Sequence, residues 1–263
     1  MRKTRLFAYW VLVFGISWIS WGLLAGLAGR GVLAYGHPGF MALLAVGGTA
    51  PAIAAYIATF LVEGKAGLGG YNALVLRFRI HPVWYAIPFL VHVGTTVVAG
   101  LATSTLGQGD FGLARPWFAF VPTFVMMIVG GGLEELGWRG LALPELQKKF
   151  NPLIATVILG LVWTVWHAPL FYVEGAIQKG LSPIWFTTSV MGHAFILTWL
   201  FNKTRSVPIC VIYHAAANAM PTMFTMPTGA TTVEAILRLT LGVALVVLLM
   251  RKPAPLSASE ASD

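Results

Sequence analysis

Long apolar runs, repeated from one end of the chain to the other, limit what this sequence can become. Eight of them lie at 6–28, 40–62, 82–103, 117–137, 152–172, 184–201, 207–223 and 231–250, with few charges in any. Each is close to the roughly 20 residues that carry an α-helix across a bilayer. Lipid offers no partner to backbone N–H and C=O groups, so a spanning segment must satisfy them itself, and runs this long do so as helices. Only 10% of residues are charged and 57% are hydrophobic, against roughly 25% charged in a soluble domain. The expected fold is all-α: a polytopic membrane protein of about eight transmembrane helices with a polar site inside the bundle. It forms one domain over 1–252.

The formal net charge of +8 does not point to nucleic acid, because the basic residues sit at the ends of the apolar runs. With the N-terminus cytoplasmic, "MRKTR", Lys65, Arg77, Arg79, Lys148, Lys149, Lys203, Arg205, Arg251 and Lys252 fall inside. Arg30, Arg115 and Lys179 fall outside. That asymmetry follows the positive-inside rule and predicts both termini cytoplasmic. The first apolar run exceeds the roughly 7–15 residues of a signal h-region, so a retained first helix is expected. The stretch 66–80, "AGLGGYNALVLRFRI", is short and basic and reads as interfacial or re-entrant. The tail 253–263 is polar and expected to be a disordered cytoplasmic segment. Cys210 is the only cysteine, which leaves no disulfide framework and no cysteine cluster for zinc.

Charged residues within the runs are costly and are functional candidates by default. The fourth run and its cytoplasmic extension carry "GGGLEELGWRG", with Glu134, Glu135 and Arg139. The fifth carries His167 in "WTVWHAP", the sixth His193, and the seventh His214 and Asn218 in "YHAAANAM". Glu135 and Arg139 are i,i+4 with the acid first, the favourable order for a helical ion pair. That pairing leaves Glu134 about 100° round the helix. His214 and Asn218 share a face, as do Trp163 and His167. By helical rise these heights are compatible with one inward cluster of Glu134, His167, His214 and Asn218, with His193 at its rim. Gly130 to Gly132 would let a neighbouring helix approach closely. His92 in the third run reads as structural. Glu234 and Arg238 in the eighth are expected to pair or snorkel near the outer interface.

A carboxylate and a histidine near one water can deprotonate it and later protonate a leaving amine. A histidine with an asparagine can donate hydrogen bonds to a developing oxyanion. Glu134 with His167 and His214 also resembles the open three-ligand set of a catalytic zinc site. The sequence leaves both uses open, since both need the same residues.

These motifs resemble those of the CPBP family, the CAAX protease and bacteriocin-processing intramembrane endopeptidases also called Abi proteins. "EELGWR" fits EExxxR and "YHAAAN" fits HxxxN. The middle motif, usually FxxxH, reads "WTVWH", with Trp163 in the aromatic slot. The similarity covers about residues 115–225; the first three helices match only in hydrophobic character. The resemblance implies eight membrane helices and peptide-bond hydrolysis, with Ras-converting CAAX endopeptidases among the members. It implies that Glu134 and His167 activate water, that His214 and Asn218 form the oxyanion site, and that Glu135 and Arg139 support them. No cofactor is expected, with zinc on Glu134, His167 and His214 as the alternative. The expected partners are the lipid bilayer and a membrane-associated protein or peptide substrate, prenylated or not; the expected location is an integral, multi-pass one, in the plasma or inner membrane if the source is prokaryotic. Two other readings use the same features: a proton-coupled transporter, and a non-catalytic immunity or scaffold protein of the same fold.

Overall fold

A computed structural model of the chain describes residues 2–251. The tail 253–263, expected to be disordered, lies outside the described residues. The chain is an all-α polytopic membrane protein. Helix α1 (Arg2–Gly29) returns as α2 (Pro38–Val75) after a short turn. His37 caps α2, its Nδ1 accepting from the Gly39 N–H at 3.0 Å, and Pro38 sits in the first turn, where its missing donor costs nothing. Ser17, Ser20 and Trp21 lie on one face of α1 and donate to the carbonyls of Gly47, Leu43 and Leu44 on α2, at 2.8, 2.7 and 3.2 Å. Ser17 meets Gly47 whereas Ser20 and Trp21, further along α1, meet Leu43 and Leu44, so the two helices run antiparallel. A Cβ at Gly47 would overlap the Trp21 indole, so that glycine sets how closely the pair packs.

The stretch expected to be interfacial is helical as far as Val75. It continues α2 beyond a kink at Gly64, whose φ of 64° and ψ of −157° leave the helical region. Glycine reaches a positive φ without a Cβ penalty, which is why the break falls there. Helix α3 (Val83–Thr105) follows. A two-residue ribbon, β1 (Gly112–Leu113) against β2 (Phe224–Thr225), ties two connections together.

The fourth apolar run is not one helix. It comprises α4 (Phe120–Met127), a π-helical turn at Ile128–Gly132, α5 (Glu134–Gly137), a second π turn at Trp138–Ala142, and α6 (Leu143–Gln147). The two halves meet at 41°. Helix α7 (Pro152–Trp166) starts from Asn151, whose side chain accepts from the Ile154 N–H at 2.9 Å. Helices α8 (Pro183–Thr204), α9 (Val207–Ala219) and α10 (Ala230–Met250) complete the described chain.

Among the described residues six helices are long and apolar enough to cross a membrane, and a seventh span results if the bent pair counts as one. The run at 207–223 accounts for the difference from eight. It gives a 13-residue helix and a 3-10 turn at Met220–Met223, about 20 Å of helix by the rise per residue. Most of α9 is buried. A helix enclosed by protein need not reach both bilayer faces, and hydropathy alone does not distinguish it from a span.

Candidate active site

The broken fourth run sets where its charges point. A π turn holds an extra residue and shifts the direction of the side chains beyond it. Between the two π turns, Glu134 and Glu135 point to different partners. Glu134 Oε2 accepts from the indole N–H of Trp163 at 2.9 Å and of Trp138 at 3.2 Å. Among the described residues its other oxygen receives no hydrogen bond. Glu135 Oε1 accepts from Arg139 Nη1 at 3.1 Å and from His214 Nδ1 at 2.9 Å. Its Oε2 lies 2.8 Å from the same Arg139 nitrogen. Glu135 and Arg139 are both fully buried. The guanidinium also lies over the Trp163 ring, 5.0 Å from its centroid, and Nη2 reaches the Ala194 carbonyl at 3.5 Å.

His167 ends α7 and donates from Nδ1 to the Trp163 carbonyl at 2.8 Å. A carbonyl only accepts, so Nδ1 carries the proton and Nε2 keeps its lone pair. The imidazole is packed by Trp166 and Phe186, at ring distances of 4.7 and 5.1 Å. The structure gives His167 no direct bond to Glu134. Trp163 connects them, its indole to the acid and its carbonyl to the imidazole.

On α9, Nδ1 of His214 is engaged by Glu135, which leaves Nε2 facing Gly131. A Cβ at residue 131 would stand 3.1 Å from that nitrogen and overlap Nδ2 of Asn218. At Gly132 it would stand 3.0 Å from the Val211 carbonyl oxygen. Those two glycines therefore let α9 lie against the broken helix. Gly130 plays no such part, its nearest neighbour being Met127 at 3.5 Å. Asn218 Nδ2 and His214 Nε2 thus both lie against Gly131 of the broken helix.

The structure brings Glu134, Glu135, Arg139, Trp163 and His214 into direct contact and puts His167 and Asn218 at their edges. His193 Nδ1 lies 3.1 Å from the hydroxyl of Tyr213, the residue before His214. Glu234 and Arg238 do pair, but in the interior, with the carboxylate also taking the Thr96 hydroxyl. Among the described residues no three His, Cys, Asp or Glu side chains gather closely enough to hold a metal ion.

Two residues of the site escaped the sequence reading. Trp138 stands four residues after Glu134, the same interval that marks Glu135 and Arg139, and that interval was the available signal. Tyr71 lies in the stretch read as interfacial, and its hydroxyl donates to the Leu136 carbonyl at 2.7 Å. No local pattern links it to a residue so distant in sequence.

Residues 116–220, which contain all three motifs, match the family described as type II CAAX prenyl endopeptidase Rce1-like. The chain is also 33% identical over 106 residues to CAAX prenyl protease 2 of Methanococcus maripaludis. That match covers 38% of this chain and spans 39% of the length of the curated relative. The resemblance to the CPBP family read from the motifs is borne out over this segment.

Proposed function

We propose that this CPBP-family chain is an intramembrane endopeptidase that hydrolyses a peptide bond with a water activated by Glu134 and His167, without an essential metal. One observation carries the reading most: a buried carboxylate has one oxygen held by two indole N–H groups and the other left free. A base oriented in this way is ready to accept a proton and needs no reorganisation to do so.

In the proposed step, water stands between the free Glu134 oxygen and the lone pair of His167 Nε2. Glu134 takes a proton as the water oxygen bonds to the scissile carbonyl carbon. The carbonyl electron pair moves onto oxygen, which the Asn218 amide stabilises. His214 Nε2 can add a second hydrogen bond when its imidazole carries two protons, a charge balanced by Glu135. The tetrahedral intermediate then collapses, the C–N bond breaks, and the proton held by Glu134 passes to the leaving amine, directly or by way of His167 Nε2. Removing one oxyanion donor from such a site costs roughly 10²–10³ in kcat.

The substrate proposed is a membrane-associated protein or peptide. The name of the methanococcal relative makes a prenylated C-terminal peptide the first to try. Both termini are proposed to be cytoplasmic, which would put the basic ends of α2 and α8 on the same side as such a substrate.

The test uses purified protein in liposomes with quenched peptides, farnesylated and unmodified, with and without a chelator. Cleavage that survives chelator and is lost in Glu134→Gln is the expected result. Cleavage lost to chelator and restored by zinc would overturn the metal-free part. A folded wild type that cleaves nothing, or a Glu134→Gln variant as active as wild type, would overturn the hydrolytic reading.

A further inference from the structure

We infer that Tyr213, gripped by His92 from α3 and His193 from α8, is a positioning residue that sets the rotation of α9 and so the aim of His214 and Asn218. The inference rests on the hydrolytic reading for its effect on rate, but not for its geometry.

Tyr213 directly precedes His214 and so points about 100° away from it round the helix. Its backbone carbonyl lies 3.1 Å from His92 Nε2 and its hydroxyl 3.1 Å from His193 Nδ1. The three rings pack together, with His92 4.4 Å and His193 5.7 Å from the Tyr213 ring. One residue is thus held at its backbone by one helix and at its side-chain tip by another. Helix geometry already supplies that carbonyl with a partner four residues on. The extra bond from His92 is therefore not needed to form α9; it fixes α9 relative to α3.

Further contacts tie the His92 turn of α3 to α10. One turn along α3, the Thr95 hydroxyl donates to the Val91 carbonyl at 2.9 Å, lies 3.3 Å from the His92 carbonyl, and accepts from Arg238 Nε at 3.2 Å. The buried Arg238–Glu234 pair, bonded also by Thr96, ties α3 to α10. Side-chain tips stand about 5–6 Å from a helix axis, so rotating α9 by about 10° would move the His214 ring by about 1 Å. That is enough to break its 2.9 Å bond to Glu135. A 1 Å misplacement can cost a hundredfold in rate.

A purely structural role predicts something different. His92 is fully buried and, among the described residues, its Nδ1 has no partner. An unpaired buried nitrogen costs stability, and an apolar residue of similar shape removes that cost. If His92 serves packing alone, His92→Leu should be neutral or stabilising and leave the rate unchanged. If it serves positioning, the same variant should lose rate while keeping its stability.

The experiment compares His92→Leu, His92→Gln and Tyr213→Phe with wild type as the full chain in liposomes. It measures kcat, KM, the thermal midpoint, and the ¹⁵N–¹H signal of the His214 Nδ1 proton, assigned by its loss in His214→Gln. The expected result for His92→Leu is a kcat at least tenfold lower, KM within twofold, an unchanged or raised midpoint and a displaced His214 signal. His92→Gln, which keeps an N–H donor, should recover part of the rate, and Tyr213→Phe should fall between. An unmoved His214 signal in both His92→Leu and Tyr213→Phe overturns the inference whatever the rates. So does an unchanged kcat, or a loss of rate that tracks loss of stability without recovery in His92→Gln. If wild type cleaves no peptide, the hydrolytic reading fails instead, and the His214 signal still decides the geometry.

Discussion

The Trp163 indole donates to Glu134 at 2.9 Å while its own backbone carbonyl accepts from His167 at 2.8 Å. The aromatic slot of the middle motif therefore does more than pack. It fixes the carboxylate and the imidazole from one residue, so neither can drift without the other. Phenylalanine in this slot would supply the ring and the carbonyl but not the N–H.

Trp163→Phe tests that link. A hydrogen bond to a charged group contributes roughly 1.5–3 kcal/mol, so kcat should fall about tenfold or more while Trp138 still holds the same oxygen. Steady-state hydrolysis by the single variants and by Trp163→Phe/Trp138→Phe checks it. A double variant no worse than either single one would show that the two indoles do not share the task.

The adjacent glutamates should separate into different phenotypes. Glu134→Gln should abolish hydrolysis with little change in the thermal midpoint. Glu135→Gln leaves Arg139 buried without its counter-charge, and breaking a buried pair from one side costs about 3–5 kcal/mol. Thermal unfolding in detergent should show a clear loss for Glu135→Gln alone. Equal midpoints for the two variants would contradict this assignment.

Gly131→Ala should be a catalytic lesion. The new methyl group would occupy the space between His214 Nε2 and Asn218, and disturbing one oxyanion donor costs roughly 10²–10³ in kcat. KM should change much less. A Gly130→Ala control meets nothing closer than 3.5 Å and should retain most activity.

Gly137→Ala should be a stability lesion. Its Cβ would overlap the Pro51 carbonyl oxygen and the Tyr9 hydroxyl, and overpacking of this kind costs about 1–3 kcal/mol. The readout is the thermal midpoint, with activity lost in proportion to the folded fraction. A midpoint equal to wild type would mean that α2 and α5 can separate freely at this point.

Most of the architecture was legible because hydropathy reports length and apolarity, and membrane helices have both. Hydropathy does not report what surrounds a helix, so α9 read as a span although protein encloses it. Similarly, the basic end of 66–80 looked interfacial, yet Tyr71 within it reaches the Leu136 carbonyl. The i,i+4 rule gave the Glu135–Arg139 pair because both residues lie on one turn. The engagement of His214 by Glu135 depends on two helices and on a π turn that departs from the 3.6-residue period, and neither leaves a trace in local spacing. Glu234 and Arg238 paired as their spacing predicts, but their depth was set by Thr95 and Thr96 on another helix.

The two π turns around Glu134–Gly137 have a further consequence. Glu134 and Glu135 are the same amino acid on adjacent steps of one backbone, and only their angular phase separates a candidate base from a counter-ion. Removing one residue from Ile128–Gly132 would leave every functional group in the chain yet turn the remainder of the helix by about 100°. That is the angle between neighbouring side chains, so Glu135 would swing into the surroundings Glu134 now has, and Glu134 would swing out of them. On this view the inserted residue is information: it tells two identical acids apart.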